Sequence, residues 1–576
     1  MSTPDVTTPG GLLLVLAVLV PFVGMLLGLV AGGRHVRRIA FGAMLIGSGV
    51  AVGIATIWRR AGGLVYLLGD WSPPLGIALR ADGPAVAMLL AVAFVVCGIG
   101  LYARADFGTP EGSRESRSAF TYWLLLLAVW GSLNLVFVSG DLFTLYVALE
   151  LLTFAGVPLV CLTGSADTLR AALRYLLFAL CGSVLYLLGA VLLYGGYGTL
   201  DMRLLADVVE GEPITWTALA LMTVGLLAKT ALFPLHMWLP PAHGGAPPAA
   251  SAVLSALVIK GSWFLVLRLW CDVMPGVAGT SAPQLLGALG AAAIVVGSLV
   301  ALRQRRLKLL VAYSTVAQIG YLFLMFPMAV TDSGVNDAAV SAGVLQAISH
   351  ATAKAGMFMA AGLVYTALGH DRIDDLAGAA RALPITLLAF FIGGVSLMGV
   401  LPSGAYLAKK LLLDAADASG QWWWIWVLQL GAVFTAGYMV LVMVRVVRRP
   451  AQSLTGLKPV SRLSQLAALG LSLASVALAL TAVLGPLPAS LISNPLSPKD
   501  LAYTLAVLGG GTMLAWGLAR RPLFATGSSL RSGTQVLARA IERGDHLIRR
   551  WPAAMMALLG LAAMFSWLLG HARALI

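Results

Sequence analysis

Apolar segments long enough to cross a bilayer recur along this chain from residue 11 to residue 571, and no water-soluble core could cover them all. They lie near 11–31, 39–58, 84–104, 119–138, 141–163, 171–195, 214–233, 249–270, 284–302, 308–328, 341–368, 380–400 with a continuation to 414, 421–445, 463–484, 498–518 and 552–571. At the ~20 residues a spanning helix needs, this predicts an all-α polytopic membrane protein of about 16 transmembrane helices. Composition agrees: of 576 residues 59% are hydrophobic and only 11% charged, with a mean hydropathy of +0.91. The first run follows a short N-terminus without basic residues and has no small-residue cleavage site, so it is expected to remain a span and not act as a signal peptide. Cys97, Cys161, Cys181 and Cys271 show no CxxC spacing, which suggests helix packing and neither a metal site nor a disulfide framework.

Charge in the loops orients the chain. Arg34, Arg37 and Arg38 follow the first span, and Arg303, Arg305, Arg306 and Lys308 follow the ninth. Arg445, Arg448, Arg449, Lys458 and Arg462 follow the thirteenth; Arg520, Arg521, Arg531, Arg539, Arg543, Arg549 and Arg550 follow the fifteenth. The loop after the sixth span carries Asp201, Asp207, Glu210 and Glu212 with one Arg203, and the loop after the tenth carries Asp332 and Asp337. The positive-inside rule then puts both termini away from the cytoplasm; the loop at 370–381, slightly acidic, runs against the trend. The net charge of +14 thereby serves topology and anionic headgroups, with no nucleic acid implied. Segment 527–551 reads as an amphipathic helix on the cytoplasmic surface, either a linker lying at the interface or a partner site. Neither GxxxxGK[ST] nor a dinucleotide fingerprint is present, and no cofactor is expected.

Residues 216–270 hold the most informative detail. Two apolar runs, each with one buried lysine (Lys229 and Lys260), flank a segment containing Pro234, His236, Pro240, Pro241, His243, Pro247 and Pro248. Proline cannot continue a helix, so the seventh span must break and release backbone groups. Inside a bilayer such a break survives only where protein or a water-filled cavity satisfies those groups, so a broken helix beside a buried lysine suggests an ion path. A second apolar run breaks at Pro402 and Gly404, followed by Lys409 and Lys410. Two such breaks suggest a repeated architecture of the kind transporters use.

Each charge at membrane depth costs on the order of 2.5–3.5 kcal/mol on insertion scales, so these residues need a reason. Glu150 lies about 12 Å into its helix and is the obvious partner for Lys229. Such a pair suits proton work, because each member's protonation depends on the other's charge; a static ion pair is the competing reading. Lys260, with Ser262 the nearest hydroxyl, would sit among waters or take a proton in transit. His350 and Lys354 are four residues apart on one helix face, where histidine can relay protons or simply pack.

The run KTALFPLHMWLPPAHGGAPPAASAVLSALVIKGSWFLVLR, with DLFTLYVALELL before it and LKLLVAYSTVAQIGY, SHATAKAGMFMAAG and GVLPSGAYLAKK after it, resembles the antiporter-like subunits of respiratory complex I, the Mrp-type sodium/proton antiporters and the membrane-bound hydrogenases. The resemblance covers roughly residues 84 to 445 and looks most like the D subunit of Mrp-type antiporters. It implies a fourteen-helix core with two inverted five-helix repeats and broken helices 7 and 12. Residues 1–118 would hold helices 1–3, 119–270 the first repeat (helices 4–8), 284–445 the second (helices 9–13), and 446–576 the C-terminal helices, of which the tail beyond about residue 485 goes past the shared core. It also implies a proton path through Glu150, Lys229, Lys260, His350, Lys354 and Lys409. Arg306 stands where many relatives carry an acid, and Ala405 where a glycine is common.

The expected function is therefore proton translocation, alone or in exchange for Na⁺, by one membrane subunit of a hetero-oligomeric complex in the cell's inner (plasma) membrane. A redox-driven complex I- or hydrogenase-type module, a membrane subunit paired with a zinc protein for inorganic-carbon uptake, and a self-sufficient carrier remain open.

Overall fold

The computed structural model describes residues 6–33, 35–108, 116–331, 334–449, 456–480, 498–520, 540, 543–547 and 550–571. Among these, fifteen helices are long and apolar enough to cross a membrane by length and composition. They match the predicted spans one for one apart from the twelfth, which is a shorter helix, Pro384–Met398, followed by Gly404–Ala418. Most of the predicted amphipathic segment 527–551 lies outside the described residues; 543–547 are helical. Two short hairpins, Leu64–Leu67 with Ala78–Ala81 and Val330–Thr331 with Gly334–Val335, are the strands present among the described residues.

Contacts between loops establish which loops share a face. Arg306 in the loop after the ninth span pairs with Asp371 after the eleventh at 2.9 Å, and Asp374 in that same loop pairs with Arg445 at the end of the thirteenth, also at 2.9 Å. On the opposite face Arg80 pairs with Asp201 at 2.8 Å, joining the loops after the second and sixth spans, and Arg268 reaches Asp82 at 2.5 Å. Odd-numbered loops thus gather on one side and even-numbered loops on the other. The acids of 370–381 no longer run against the charge pattern, because they neutralise arginines of neighbouring loops.

The eighth span, Pro248–Val273, is buried from Ala249 to Cys271, and the tenth (Leu307–Ala329) and eleventh (Asp337–Leu368) over most of their length. Small residues let the backbones close up: a Cβ on Gly225 would collide with Gly182 O, so the sixth and seventh spans pack backbone to backbone. The same holds for Gly320 against Gly290 O, between the tenth and ninth. Exposed large apolar side chains lie instead mainly on the first, second, fifth, sixth and thirteenth spans and on the C-terminal helices.

Both predicted breaks are present, and they share a local geometry. The seventh span's helix Pro213–Thr230 ends on Ala231 in the left-handed region (φ 60°), three residues before Pro234. The twelfth ends on Gly399 (φ 65°), three residues before Pro402. Phe233–Pro234 and Leu401–Pro402 are both cis. Helix resumes at Leu239–Gly245 after the first break, where Pro240 occupies the first turn, and at Gly404–Ala418 after the second, capped by Ser403 Oγ accepting from the Tyr406 N–H at 3.0 Å. The prolines therefore end one helix and start the next, since the first turn has no intrahelical acceptor for an N–H that proline lacks.

The C-terminal extension lies against both breaks. Pro498–Arg520 packs on the thirteenth span, and Trp551–His571 packs on the seventh, with Phe565 edge-on to Trp270.

Candidate functional site

Glu150 and Lys229 meet across the fifth and seventh spans. Lys229 Nζ donates to Glu150 Oε1 at 3.3 Å and to Thr153 Oγ1 at 2.8 Å, and Ser183 Oγ on the sixth span donates to the same carboxylate oxygen. Lys229 is the penultimate residue of its helix, two before the Ala231 break, so the backbone leaves regular helix close to where its amine enters the core. A small cavity of about 10 Å³ lies beside this amine, bounded by Thr153, Tyr175 and Ser262, with room for about one water. Neither Thr153 nor Ser183 was foreseen from sequence. Thr153 could have been, because it stands one turn from Glu150 on the same helix; Ser183, 33 residues away, carries no local signal.

Lys260 sits at the centre. The eighth span widens into a π turn at Leu254–Val258, immediately before it. Lys260 Nζ donates to Ser255 O within that turn at 2.9 Å and hydrogen-bonds His350 Nδ1 of the eleventh span. The nearest hydroxyl in sequence, Ser262, turns instead to Thr230 Oγ1 at 2.9 Å. His350 therefore meets the lysine of another helix, and its sequence neighbour Lys354 goes elsewhere: to Val311 O at 3.0 Å and to Ser314 Oγ on the tenth span. His350 Nε2 has no protein partner although the ring is fully buried.

Beyond Lys354 the tenth, eleventh and twelfth spans carry neutral polar groups that the sequence reading passed over. Gln346 Nε2 donates to Gln318 Oε1 at 3.2 Å, Gln318 Nε2 to Leu397 O at 3.1 Å, and Ser349 and Ser396 are 3.2 Å apart. Lys409 is buried at the far end, its Nζ 5.7 Å from the centroid of Tyr321 and 5.3 Å from that of Tyr503. Lys410 points away from it and pairs with Asp500 at 2.8 Å. The two lysines have the divergent directions that a 100° step per residue requires.

The first broken segment has two buried imidazoles. His236 Nε2 lies 3.0 Å from Asp545 Oδ1, while His243 stacks on Phe358 with centroids 4.8 Å apart. At the face of the basic loops Arg306 does not lack an acid: Asp371 comes from the loop after the eleventh span, its Oδ1 accepting from Arg306 Nε and its Oδ2 from the Lys308 N–H at 3.2 Å. Lys308 Nζ reaches Ala246 O beside the first break.

Amines, imidazoles and one carboxylate therefore run in a band through the middle of the helices, each with an acceptor or an aromatic face beside it. This can hold and pass protons, because every group can exist with or without one. Among the described residues no group of three or more His, Cys, Asp or Glu could hold a metal ion.

The chain is similar to known proteins. The family model for the NADH:quinone oxidoreductase/Mrp antiporter transmembrane region matches residues 139–435. The N subunit of the NADH-quinone oxidoreductase of Desulforudis audaxviator is 34% identical over 397 residues, 68% of this chain and 77% of that one. The D subunit of the Na⁺/H⁺ antiporter of Alkalihalophilus pseudofirmus is 30% identical over 413 residues, 70% of this chain and 80% of its own. Among solved structures, a chain of the Mrp complex from Dietzia sp. superposes with a TM-score of 0.72 at 22% identity, covering 88% of this chain and 99% of that one. A chain of the archaeal membrane-bound sulfane sulfur reductase also gives a TM-score of 0.72, at 24% identity with the same coverage.

Proposed function

Because the chain belongs to the NADH:quinone oxidoreductase/Mrp antiporter membrane family, we propose that it is a proton-translocating subunit of a multisubunit membrane complex, moving H⁺ alone or in exchange for Na⁺. The observation that carries this reading is the buried band from Glu150–Lys229 through Lys260–His350 and Lys354 to Lys409. Charges so placed are expensive, and a band of them is kept where protons are passed. In this reading Glu150 sets the charge state of Lys229, Lys260 passes a proton on through His350, and Lys409 hands it on at the far break. Residues 119–270 and 284–445 act as two repeats, an assignment supported by the matched left-handed caps before Pro234 and Pro402. The basic face is cytoplasmic and both termini lie opposite it, in an inner (plasma) membrane. The similarity to an N subunit from a quinone oxidoreductase favours a second source of drive, a redox partner in place of Na⁺.

Purification of the native complex, followed by identification of its subunits and by proton and Na⁺ flux in vesicles, tests the assignment. Co-purifying membrane subunits and flux that depends on Lys260 are expected. A solitary chain whose flux survives Lys260→Ala would sink it.

A further inference from the structure

The C-terminal extension places one carboxylate where a surface helix has no use for it. Residues 543–547 form a helical turn at the face of the basic loops, and a polar residue of such a turn would ordinarily stay in water. Asp545 instead is buried, with Oδ1 3.0 Å from His236 Nε2 and Oδ2 accepting from Tyr313 Oη at 3.1 Å. Its three elements are far apart in sequence: the segment after the first break, the start of the tenth span and the chain's last hundred residues. Together they floor a cleft of about 310 Å³ whose lining includes Pro240, Pro241, Arg306, Tyr313, Asp545 and His546. The other nitrogen of the ring, His236 Nδ1, is buried without a protein partner. It belongs to the segment that leads from this cleft back to Lys229, seven residues earlier in the chain.

We propose that Asp545 and His236 form the proton-loading site of the path, with the carboxylate taking protons from the cleft and the imidazole passing them inward. This rests on the proton-path reading above and adds to it an entry that the C-terminal extension completes. The step is a plain transfer: a proton from water binds Asp545, moves to His236 Nε2, and leaves from Nδ1 toward the interior, after which the ring returns to its first tautomer. A ring with one nitrogen on a carboxylate and the other turned inward suits this, whereas an anchoring salt bridge needs only the first contact. The charged and titratable groups that line the cleft beside the pair are Arg306 and Tyr313 from the tenth span's entrance and His546 from Asp545's own turn; Arg306 offsets the carboxylate's charge between proton arrivals.

The test uses the full chain with its co-expressed partners in membrane vesicles, and reads initial proton flux against pH on the loading face. Asp545→Asn should lower flux about tenfold at alkaline pH, where proton capture limits, and much less at mildly acidic pH. His236→Gln should reproduce that profile, the double variant should be little worse than either, and Asp545→Glu should recover most of the flux. Lys260→Ala is the reference. Flux retained in it overturns the path and the entry with it; flux lost in it beside a wild-type pH profile in Asp545→Asn overturns the entry alone. A loss in Asp545→Asn that is equal at every pH, tracks reduced amounts of assembled complex and is not recovered by Asp545→Glu shows an anchoring strap, and also overturns the entry.

Discussion

Lys260 is held by one backbone carbonyl and one imidazole, with no carboxylate among its hydrogen-bond partners, so its charge is not fixed by a salt bridge. That freedom is what a transit group needs, and Lys260→Ala should abolish proton flux while the chain still inserts and assembles. Wild-type flux in a well-assembled variant would remove Lys260 from the path. Glu150 and Lys229 have the opposite arrangement. Removing one partner of such a buried pair leaves the other uncompensated, which costs on the order of 3–5 kcal/mol, whereas removing both does not. Glu150→Gln and Lys229→Met should each lose most of the activity and the double variant far less than the product of the two; multiplicative losses would show that the pair is not coupled. These residues were legible in the sequence because a charge inside an apolar run stands out whatever the fold. Their partners were not. Ser183, Thr153 and Ser314 are ordinary hydroxyls in helices, distinguished only by the amine or carboxylate that the fold brings to them, and the pairing of His350 with Lys260 across 90 residues prevails over its helical neighbour Lys354.

Helices broken by proline were equally legible, because proline dictates its own consequence, but the caps that make the breaks alike were hidden. ALFP and GVLP share a left-handed residue three places before the proline, and one of the two is alanine. A left-handed non-glycine residue costs on the order of 1–2 kcal/mol, so Ala231→Gly should be tolerated or mildly stabilising. Gly399→Ala should do the reverse. Its Cβ would meet Lys409 Cδ at 3.2 Å as well as taking on the backbone strain, so both the melting temperature of the complex and its flux should fall. Equal stability in the two variants would show that the cap at Gly399 is not strained by a side chain. The same break decides between adjacent lysines. Lys409 lies among Tyr321 and Tyr503 in the interior, while Lys410 is held by Asp500, so Lys409→Ala should stop flux and Lys410→Ala should leave most of it. The opposite pattern in equally expressed variants would move the path to Lys410.

At the scale of the molecule, the number and order of spans were readable, because bilayer thickness acts on segments without reference to tertiary contacts. The role of the C-terminal extension was not: nothing in residues 498–571 announces that Asp500 meets Lys410 at one break while Asp545 meets His236 at the other. Nor did sequence show how Glu150 faces its surroundings. Its side chain is 15% exposed, on a helix side that also presents Phe143, Val147, Leu151 and Phe154 outward. An apolar stripe suits lipid, but a partly exposed carboxylate within it does not, since hydrocarbon does not solvate a charged group. A neighbouring membrane protein of the complex covering this stripe would satisfy it. Moving charge against a potential also needs about 2.3 kcal/mol per charge per 100 mV, which in a multisubunit complex the partners can supply. The chain reconstituted alone should therefore show little or no proton or Na⁺ flux, and co-reconstituted partners should restore it. A cysteine at Val147 should cross-link to one of those partners in native membranes. Robust Na⁺/H⁺ exchange by the isolated chain, with Val147→Cys reacting only with lipid-soluble reagents, would make it a self-sufficient carrier whose Glu150 faces the bilayer.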